Sequence, residues 1–219
     1  MAVKNKNYDI FMIGMKDHPI SVMYQRECLP SWKGYKVKVF DAVTPKDLYL
    51  RNQLTFNKHY KGREFTSTEK AIWYSNFDLW CKCAREEKPI LIIEHDSKLV
   101  KQLPDLSKEK HKFVSFIDRD FGNKGIDLAP GSGYYITPSW AEKLIAKAVC
   151  EPIDHNSDGH IGLWLKVWRQ KAKNDYQYVE QINIDGLNTI DHKSTKNNRK
   201  FIGPDYENFD LSSIHRKAV

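Results

Sequence analysis

The chain alternates short apolar runs with longer segments in which apolar residues recur at helical spacing. The run at 90–93 consists of branched aliphatic residues and has no polar face, which is typical of a central strand covered on both sides. Further strands are predicted at 8–14, 35–40, 112–117, 134–136 and 176–184.

Helices are predicted in most of the intervals between these strands. The clearest start is Thr66-x-x-Glu69, a capping box in which each side chain satisfies a backbone amide at the beginning of a helix. This helix is predicted over 67–86, with aromatic residues at helical spacing that form a core-facing stripe. Other helices are predicted at 17–28, 138–149 and 158–168. The alternation predicts an α/β fold built from βαβ units.

Length and composition are typical of one ordered α/β domain. A chain of 219 residues with 41% apolar residues is long enough to bury a core. We expect the domain to cover 1–195 and a basic, polar tail to cover 196–219. No apolar run approaches the roughly 20 residues of a membrane span, and the first residues lack a signal-peptide core. The expected location is cytoplasmic, or the host cytoplasm for a viral protein.

The net charge changes the range of expected partners. A formal charge of +7 and a pI near 9.1 favour polyanions such as nucleic acid, anionic membrane or phosphorylated substrates. Charge alone does not choose among them.

Two acids flank a histidine where the predicted strand at 90–93 ends, as Glu94-His95-Asp96. The carboxyl edge of an open α/β sheet is where ligands bind, and an acid-x-acid pair suits a divalent cation that holds a diphosphate. The triplet therefore indicates a nucleotide-sugar enzyme. The alternative is a solvated turn after a buried strand.

Several motifs in order along the chain resemble glycosyltransferase family 25, and the resemblance covers roughly 8–195. This family includes bacterial lipooligosaccharide galactosyltransferases, collagen-type galactosyltransferases and enzymes of phages and large viruses. The motifs that carry the resemblance are Phe40-Asp41-Ala42-Val43, Glu69 with Ser75, Ile92-Ile93-Glu94-His95-Asp96, and Gly133-Tyr134-Tyr135-Ile136 with Ala141 and Leu144. The ordered set is more specific than any one of its members.

The resemblance implies a single-domain GT-A fold, a Rossmann-like mixed sheet flanked by helices. It also implies a hexosyl- or pentosyltransferase that uses a UDP-sugar and Mn²⁺ or Mg²⁺ and inverts the anomeric carbon. Asp96 would bind the metal, and Glu94 would hold the ribose or support the metal shell. The other implied donor-binding residues are Ile13, Gly14, Met15, Asp41, Ala42, Val43, Glu69 and His95.

The chain departs from the family at three positions. The middle acid of the family's Glu-Asp-Asp triplet is His95, the glycine before the helix acid is Thr68, and the histidine of a Ser-His pair is Asn76. His95 is a candidate ligand, a donor to the diphosphate, or a residue that points away from its neighbours. Period-two alternation favours a donor or outward-facing role over ligation. These departures bear on the choice of sugar or acceptor.

An inverting transfer needs a base for the acceptor hydroxyl. The family carries a Pro-x-Asp element followed by a second Asp, which the resemblance maps to Asp154 and Asp158. Asp154 is the preferred base, and Asp158 is equally a helix N-cap. His192 follows the last predicted strand and is a candidate third metal ligand, or a solvated loop residue.

The functional hypotheses differ mainly in the acceptor of the sugar. The basic charge and tail slightly favour a hydroxymethylated base in DNA, as in phage-type DNA glycosylation, over a lipooligosaccharide or other glycan. A third hypothesis is a non-catalytic nucleic-acid binding protein on the same scaffold, which would gain no stability from UDP and manganese. A metal nuclease is a weaker fourth, because no second acid pair accompanies the triplet. The sequence leaves the oligomeric state unknown.

Overall fold

A six-stranded mixed sheet organises the protein, in a computed structural model that describes residues 7–59, 62–109, 112–116, 133–167, 172–174 and 178–182. These residues belong to one compact unit that ends at Ile182. The strands of the sheet, numbered along the chain, are β1 Asp9–Gly14, β2 Val37–Asp41, β3 Ile90–Glu94, β5 Phe113–Ser115, β6 Gly133–Ile136 and β7 Ala172–Asn174. Their order is β2-β1-β3-β6-β5-β7, and β4 (Ser97–Leu99) pairs with β8 (Val179–Gln181) in a separate ribbon.

Four α-helices accompany the strands in the part of the chain that the structure describes. They are α1 Pro19–Cys28, α2 Ser67–Arg85, α3 Pro138–Cys150 and α4 Ser157–Val167, with short 3₁₀ helices at Leu29–Trp32, Pro45–Leu50 and Leu106–Lys108. Proline occupies the first turn of α1 and α3, where its missing amide proton costs no helical hydrogen bond. The predicted capping box of α2 is confirmed, because Thr66 and Glu69 exchange side-chain to backbone hydrogen bonds.

Strand direction gathers three strand ends at one edge. β1 runs parallel to both β2 and β3, and Gly14 is in register with Asp41 while Ile13 is in register with Glu94. β6 is antiparallel to β3 and to β5, so the sheet is mixed as predicted. The carboxyl ends of β1, β2 and β3 therefore form one edge, the place where open α/β sheets bind ligands.

The core lies on both faces of the sheet. Ile90 and Ile92 pack with Trp73 and Trp80 of α2 on one face, whereas Leu91 and Ile93 face the opposite cluster. All four aliphatic side chains of β3 are at most 2% exposed, which confirms a central strand covered on both sides. Burying each such side chain contributes about 1.5–3 kcal/mol.

Most predicted elements are present with shifted ends. The first strand begins at Asp9 rather than at residue 8, and the second spans Val37–Asp41 rather than 35–40. Of the extended segment predicted at 176–184, residues 178–182 are described, and Val179–Gln181 form a strand within them. β4 and β7 were not predicted, and the predicted tail at 196–219 lies outside the described residues. Within the described residues, no helix has the length and apolarity of a membrane span.

Candidate functional site

The end of β1 is shaped by a close approach from α1. An added Cβ on Gly14 would lie 2.6 Å from Nε2 of Gln25, so this position accepts a larger residue only if the Gln25 side chain moves. The amide of Ala42 donates to the Gly14 carbonyl at 3.0 Å, and the amide of Met15 donates to Oγ of Ser21 at 2.9 Å. Gly14 and Met15 are thereby held at the carboxyl edge of the sheet.

The segment after β2 is held by the third turn of α2. Oγ of Ser75 accepts the amide proton of Val43 at 2.9 Å and donates to the Ala71 carbonyl at 3.0 Å. Asp41 forms an exposed ion pair with Lys16 at 2.9 Å. Exposed pairs contribute little stability, so both charged groups can exchange this partner for a ligand at low cost.

The acid triplet lies where the strand ends, as predicted. β3 ends at Glu94, and His95 and Asp96 form the turn into β4. Strand alternation therefore does not apply to His95, whose ring lies half-buried 5.3 Å from that of Tyr24, and its role stays a prediction. Burial lowers the pKa of His95, Glu94 opposes that shift and His18 adds to it. The imidazole is thus favoured in its neutral form.

Asp96 is the most enclosed carboxylate of the triplet, at 8% exposure. Its backbone carbonyl accepts the amide proton of Ile182 at 2.9 Å, which ties the turn to β8. Burial and then the negative charge of Asp96 raise the pKa of the Cys28 thiol to about 12. The Asp96 carboxylate is therefore close enough to the end of α1 to influence Cys28. A buried negative charge at a strand end is suited to a cation.

The triplet fits a hard cation that shares its coordination with a substrate. Mg²⁺ and similar ions are commonly held by one or two carboxylates together with phosphate oxygens, and Glu94 and Asp96 supply two carboxylates. Within the described ranges, these two acids are not part of any cluster of three or more potential ligand groups. The predicted third ligand, His192, lies outside the described residues.

Glu69, implied as a donor-binding residue, is engaged at the start of α2. Arg63 binds both of its carboxylate oxygens, at 2.8 and 2.5 Å, and the amide of Thr66 donates to it at 2.9 Å. Burial raises the pKa of Glu69, but the hydrogen bonds from Arg63 and Thr66 outweigh burial and lower it to about 2. These contacts stabilise the helix start, and the donor-binding role stays a prediction.

The depressed pKa of Glu69 predicts acid-sensitive stability. Its contribution is present above the unfolded-state pKa, near 4.5, and is lost as pH falls through about 2. We expect Glu69→Gln to lower the free energy of unfolding by about 2–3 kcal/mol at pH 6, and by much less at pH 2.5, in urea titrations. Glu64→Gln is the control, because Glu64 is exposed. Equal losses at both pH values would contradict the assignment.

Asp154 lies beside two histidines that the sequence analysis missed. Its Oδ1 is 2.6 Å from Nδ1 of His155 and 3.7 Å from Nδ1 of His160. Backbone hydrogen bonds of 2.8 Å join Ile153 to Thr55 and Asn57, and Nε1 of Trp73 donates to the His155 carbonyl at 3.0 Å. Burial favours the neutral acid, yet the hydrogen bond with His155 and the nearby imidazoles hold the pKa of Asp154 below its usual value.

His160 is enclosed by aromatic rings. Its ring lies 4.4 Å from that of Trp164 and 5.6 Å from that of Trp73. Burial lowers the pKa of His160 to about 4, although Asp154 opposes the shift, so the imidazole is neutral at pH 7. The spacing of His155 and His160 across a helix start was a weak signal in the sequence, because it needs the fold to bring both rings to Asp154.

Asp158 is the second residue of α4, which begins at Ser157. The alternative that Asp158 is the N-cap is therefore wrong, since Asn156 precedes the helix and its carbonyl accepts the His160 amide proton. Its role as a second candidate base stays a prediction.

The comparison with family models decides the family. The model of glycosyltransferase family 25, described as LPS biosynthesis protein, matches residues 9–124, slightly more than half of the chain. The chain belongs to glycosyltransferase family 25. The match includes β1, β2, α2 and β3 with the acid triplet, whereas Asp154 and its two histidines lie beyond it. A comparison with curated proteins gives no match.

Proposed function

We propose that this family 25 glycosyltransferase transfers a hexose or pentose from a UDP-sugar to a hydroxyl acceptor, with a divalent cation and inversion at the anomeric carbon. The main observation behind this proposal is that three parallel strands end at one edge of the sheet, at Gly14, Asp41 and Glu94. Asp96 lies in the turn that directly follows Glu94. This edge lies inside the segment that matches the family.

The donor side needs negative charge to be neutralised as the diphosphate leaves. Mn²⁺ or Mg²⁺ held by Asp96 and Glu94 would supply this neutralisation. Lys16, exposed beside Asp41, adds a positive charge at the same edge. The nucleotide would lie along Ile13, Gly14, Met15, Ala42 and Val43. Hydrogen bonds at 2.9–3.0 Å hold the backbone of the last four of these residues in place.

The acceptor side needs a base. In the proposed step the acceptor oxygen bonds to the anomeric carbon, the bond from that carbon to UDP breaks, and the hydroxyl proton passes to Asp154. The lowered pKa of Asp154 keeps its carboxylate ionised at neutral pH, and His155 fixes its orientation at 2.6 Å. Asp154 lies near the first turns of α2, the helix that also holds Val43.

The family description favours a saccharide acceptor of the lipopolysaccharide type. The second candidate is a hydroxymethylated base in DNA, which the net charge of +7 favours through attraction to phosphates. An acceptor base in duplex DNA would have to be flipped out of the stack.

Transfer of radiolabelled sugar tests the proposal. Each common UDP-sugar is incubated with the full chain and Mn²⁺, in parallel with lipooligosaccharide acceptors, hydroxymethylcytosine DNA and unmodified DNA. We expect incorporation into one hydroxyl acceptor that disappears with excess chelator, and none into unmodified DNA. Incorporation that survives complete chelation would contradict metal dependence. No incorporation with any donor and acceptor would contradict the proposed substrates.

UDP binding gives a test that does not depend on the acceptor. A ligand that binds only the folded state at 100 times its dissociation constant stabilises it by about 2.7 kcal/mol. We expect UDP with Mn²⁺ to raise the midpoint of thermal unfolding, and UDP with chelator to raise it less. No shift with either would favour the non-catalytic nucleic-acid binding alternative.

A further inference from the structure

We infer that Asp154, His155 and His160 form a binding site for a zinc-class transition-metal ion, separate from the acid triplet. One ligand atom from each residue lies within 4.8 Å of the others, and this is the only such group of three among the residues that the structure describes. Nδ1 of both imidazoles faces Oδ1 of Asp154.

The spacing suits a single ion. Ligands at 2.0–2.1 Å from a tetrahedral Zn²⁺ lie about 3.3 Å from one another. The observed separations from Asp154 Oδ1, 2.6 Å to His155 and 3.7 Å to His160, lie on either side of that value. For one ion to bind all three groups, the distance from Asp154 Oδ1 to each histidine nitrogen would have to change by less than an ångström. His155 would carry its proton on Nε2, so that Nδ1 presents its lone pair.

His160 supplies the observation that points to a ligand. The residue is only 6% exposed, and Nδ1 is buried with no hydrogen-bond partner in the described part of the chain. A buried polar atom left without a partner destabilises the folded state. The 3.7 Å to Asp154 is too long for a hydrogen bond. A metal ion would satisfy this nitrogen, and the flanking Trp73 and Trp164 rings restrict its orientation.

The ligand set selects the class of ion. Two imidazoles and one carboxylate suit Zn²⁺ and related ions, whereas Mg²⁺ and Ca²⁺ prefer oxygen ligands alone. The Asp154 side chain is 49% exposed, which gives an ion access from solvent. The positive end of the α4 helix dipole disfavours a cation, and the negative charge of Asp154 offsets this effect.

Occupancy would change the proposed reaction. An ion bound at Oδ1 withdraws negative charge from the Asp154 carboxylate and makes it a weaker acceptor for the hydroxyl proton, so occupancy by the ion opposes the proposed base role. This consequence rests on the proposed function: zinc should inhibit transfer. Zinc binding itself does not depend on any activity, so its measurement stands even if the enzyme has a different substrate.

Calorimetric titration of the chelator-treated full chain with ZnCl₂, in saturating Mg²⁺, tests the site. Magnesium occupies the hard-cation site and leaves the histidine cluster available. We expect one equivalent of Zn²⁺ per wild-type chain. Loss of an outer-shell partner alone weakens metal binding by about 10–100-fold, so His155→Gln and His160→Gln should each weaken it by at least about 100-fold.

His59→Gln is the matched control, because His59 is a histidine of similar burial that packs on Phe65 outside the cluster. It should bind zinc like the wild type. His155 is more exposed than His160, so His155→Gln tests the site even if His160→Gln does not fold. Three results would overturn the inference: no zinc bound by the wild type, unchanged binding in a folded His155→Gln, or loss of the zinc in Asp96→Asn alone.

Discussion

Asp96→Asn is expected to reduce sugar transfer by on the order of 10³-fold, because in the proposed reaction a cation held by Asp96 would neutralise the leaving diphosphate and contribute several kcal/mol to the transition state. The amide is nearly isosteric with the carboxylate, so the turn between β3 and β4 and its backbone hydrogen bond to Ile182 should persist. Initial rates with saturating UDP-sugar and Mn²⁺ measure the effect, and the urea midpoint reports the fold.

Asp105→Asn is the matched control for this change. It removes the same charge from an acid whose side chain is 54% exposed and which binds Ser107 and Lys108 rather than the strand edge. Its transfer rate should stay within about twofold of the wild type. A fully active Asp96→Asn enzyme would refute the metal assignment.

Asp154→Asn is expected to lower kcat by about 10²–10⁴-fold, the usual contribution of a positioned base, while leaving the affinity for UDP unchanged. An amide still pairs with His155 but does not accept a proton. Single-turnover rates and calorimetric UDP binding separate the two effects. Asp158→Asn, four residues away and inside α4, is the comparison and should affect turnover less.

A different pattern would reassign the residue. If Asp154→Asn lost UDP affinity in proportion to its rate, Asp154 would be a donor contact. If Asp158→Asn alone abolished turnover, the base would lie in α4.

Features that depend on neighbours along the chain could be predicted from the sequence. The buried strand β3 follows from its aliphatic run, and the start of α2 from the Thr66 and Glu69 capping pair, because both patterns are local. The acid triplet was predicted to follow the strand end for the same reason. The order of the motifs along the chain also indicated glycosyltransferase family 25, the family whose model matches residues 9–124.

Features that depend on distant pairing were missed. β4 and β7 have three residues each, and their strand character comes from pairing with β8 and β5. The argument from strand alternation does not apply to His95, because nothing local shows that the chain turns immediately after Glu94. The cluster of Asp154 with His155 and His160 needs the helix start, Trp73 and the loop at Thr55 to come together. His192 and the basic tail stay predictions.

The assignment of the donor site can be tested with crystals of the protein grown with UDP and MnCl₂, with data collected at the manganese absorption edge. We expect an anomalous peak beside the carboxylates of Glu94 and Asp96, with the diphosphate next to it and the uridine along Gly14 and Asp41. A manganese peak elsewhere, or UDP bound away from the ends of β1, β2 and β3, would contradict the assignment of this edge as the donor site.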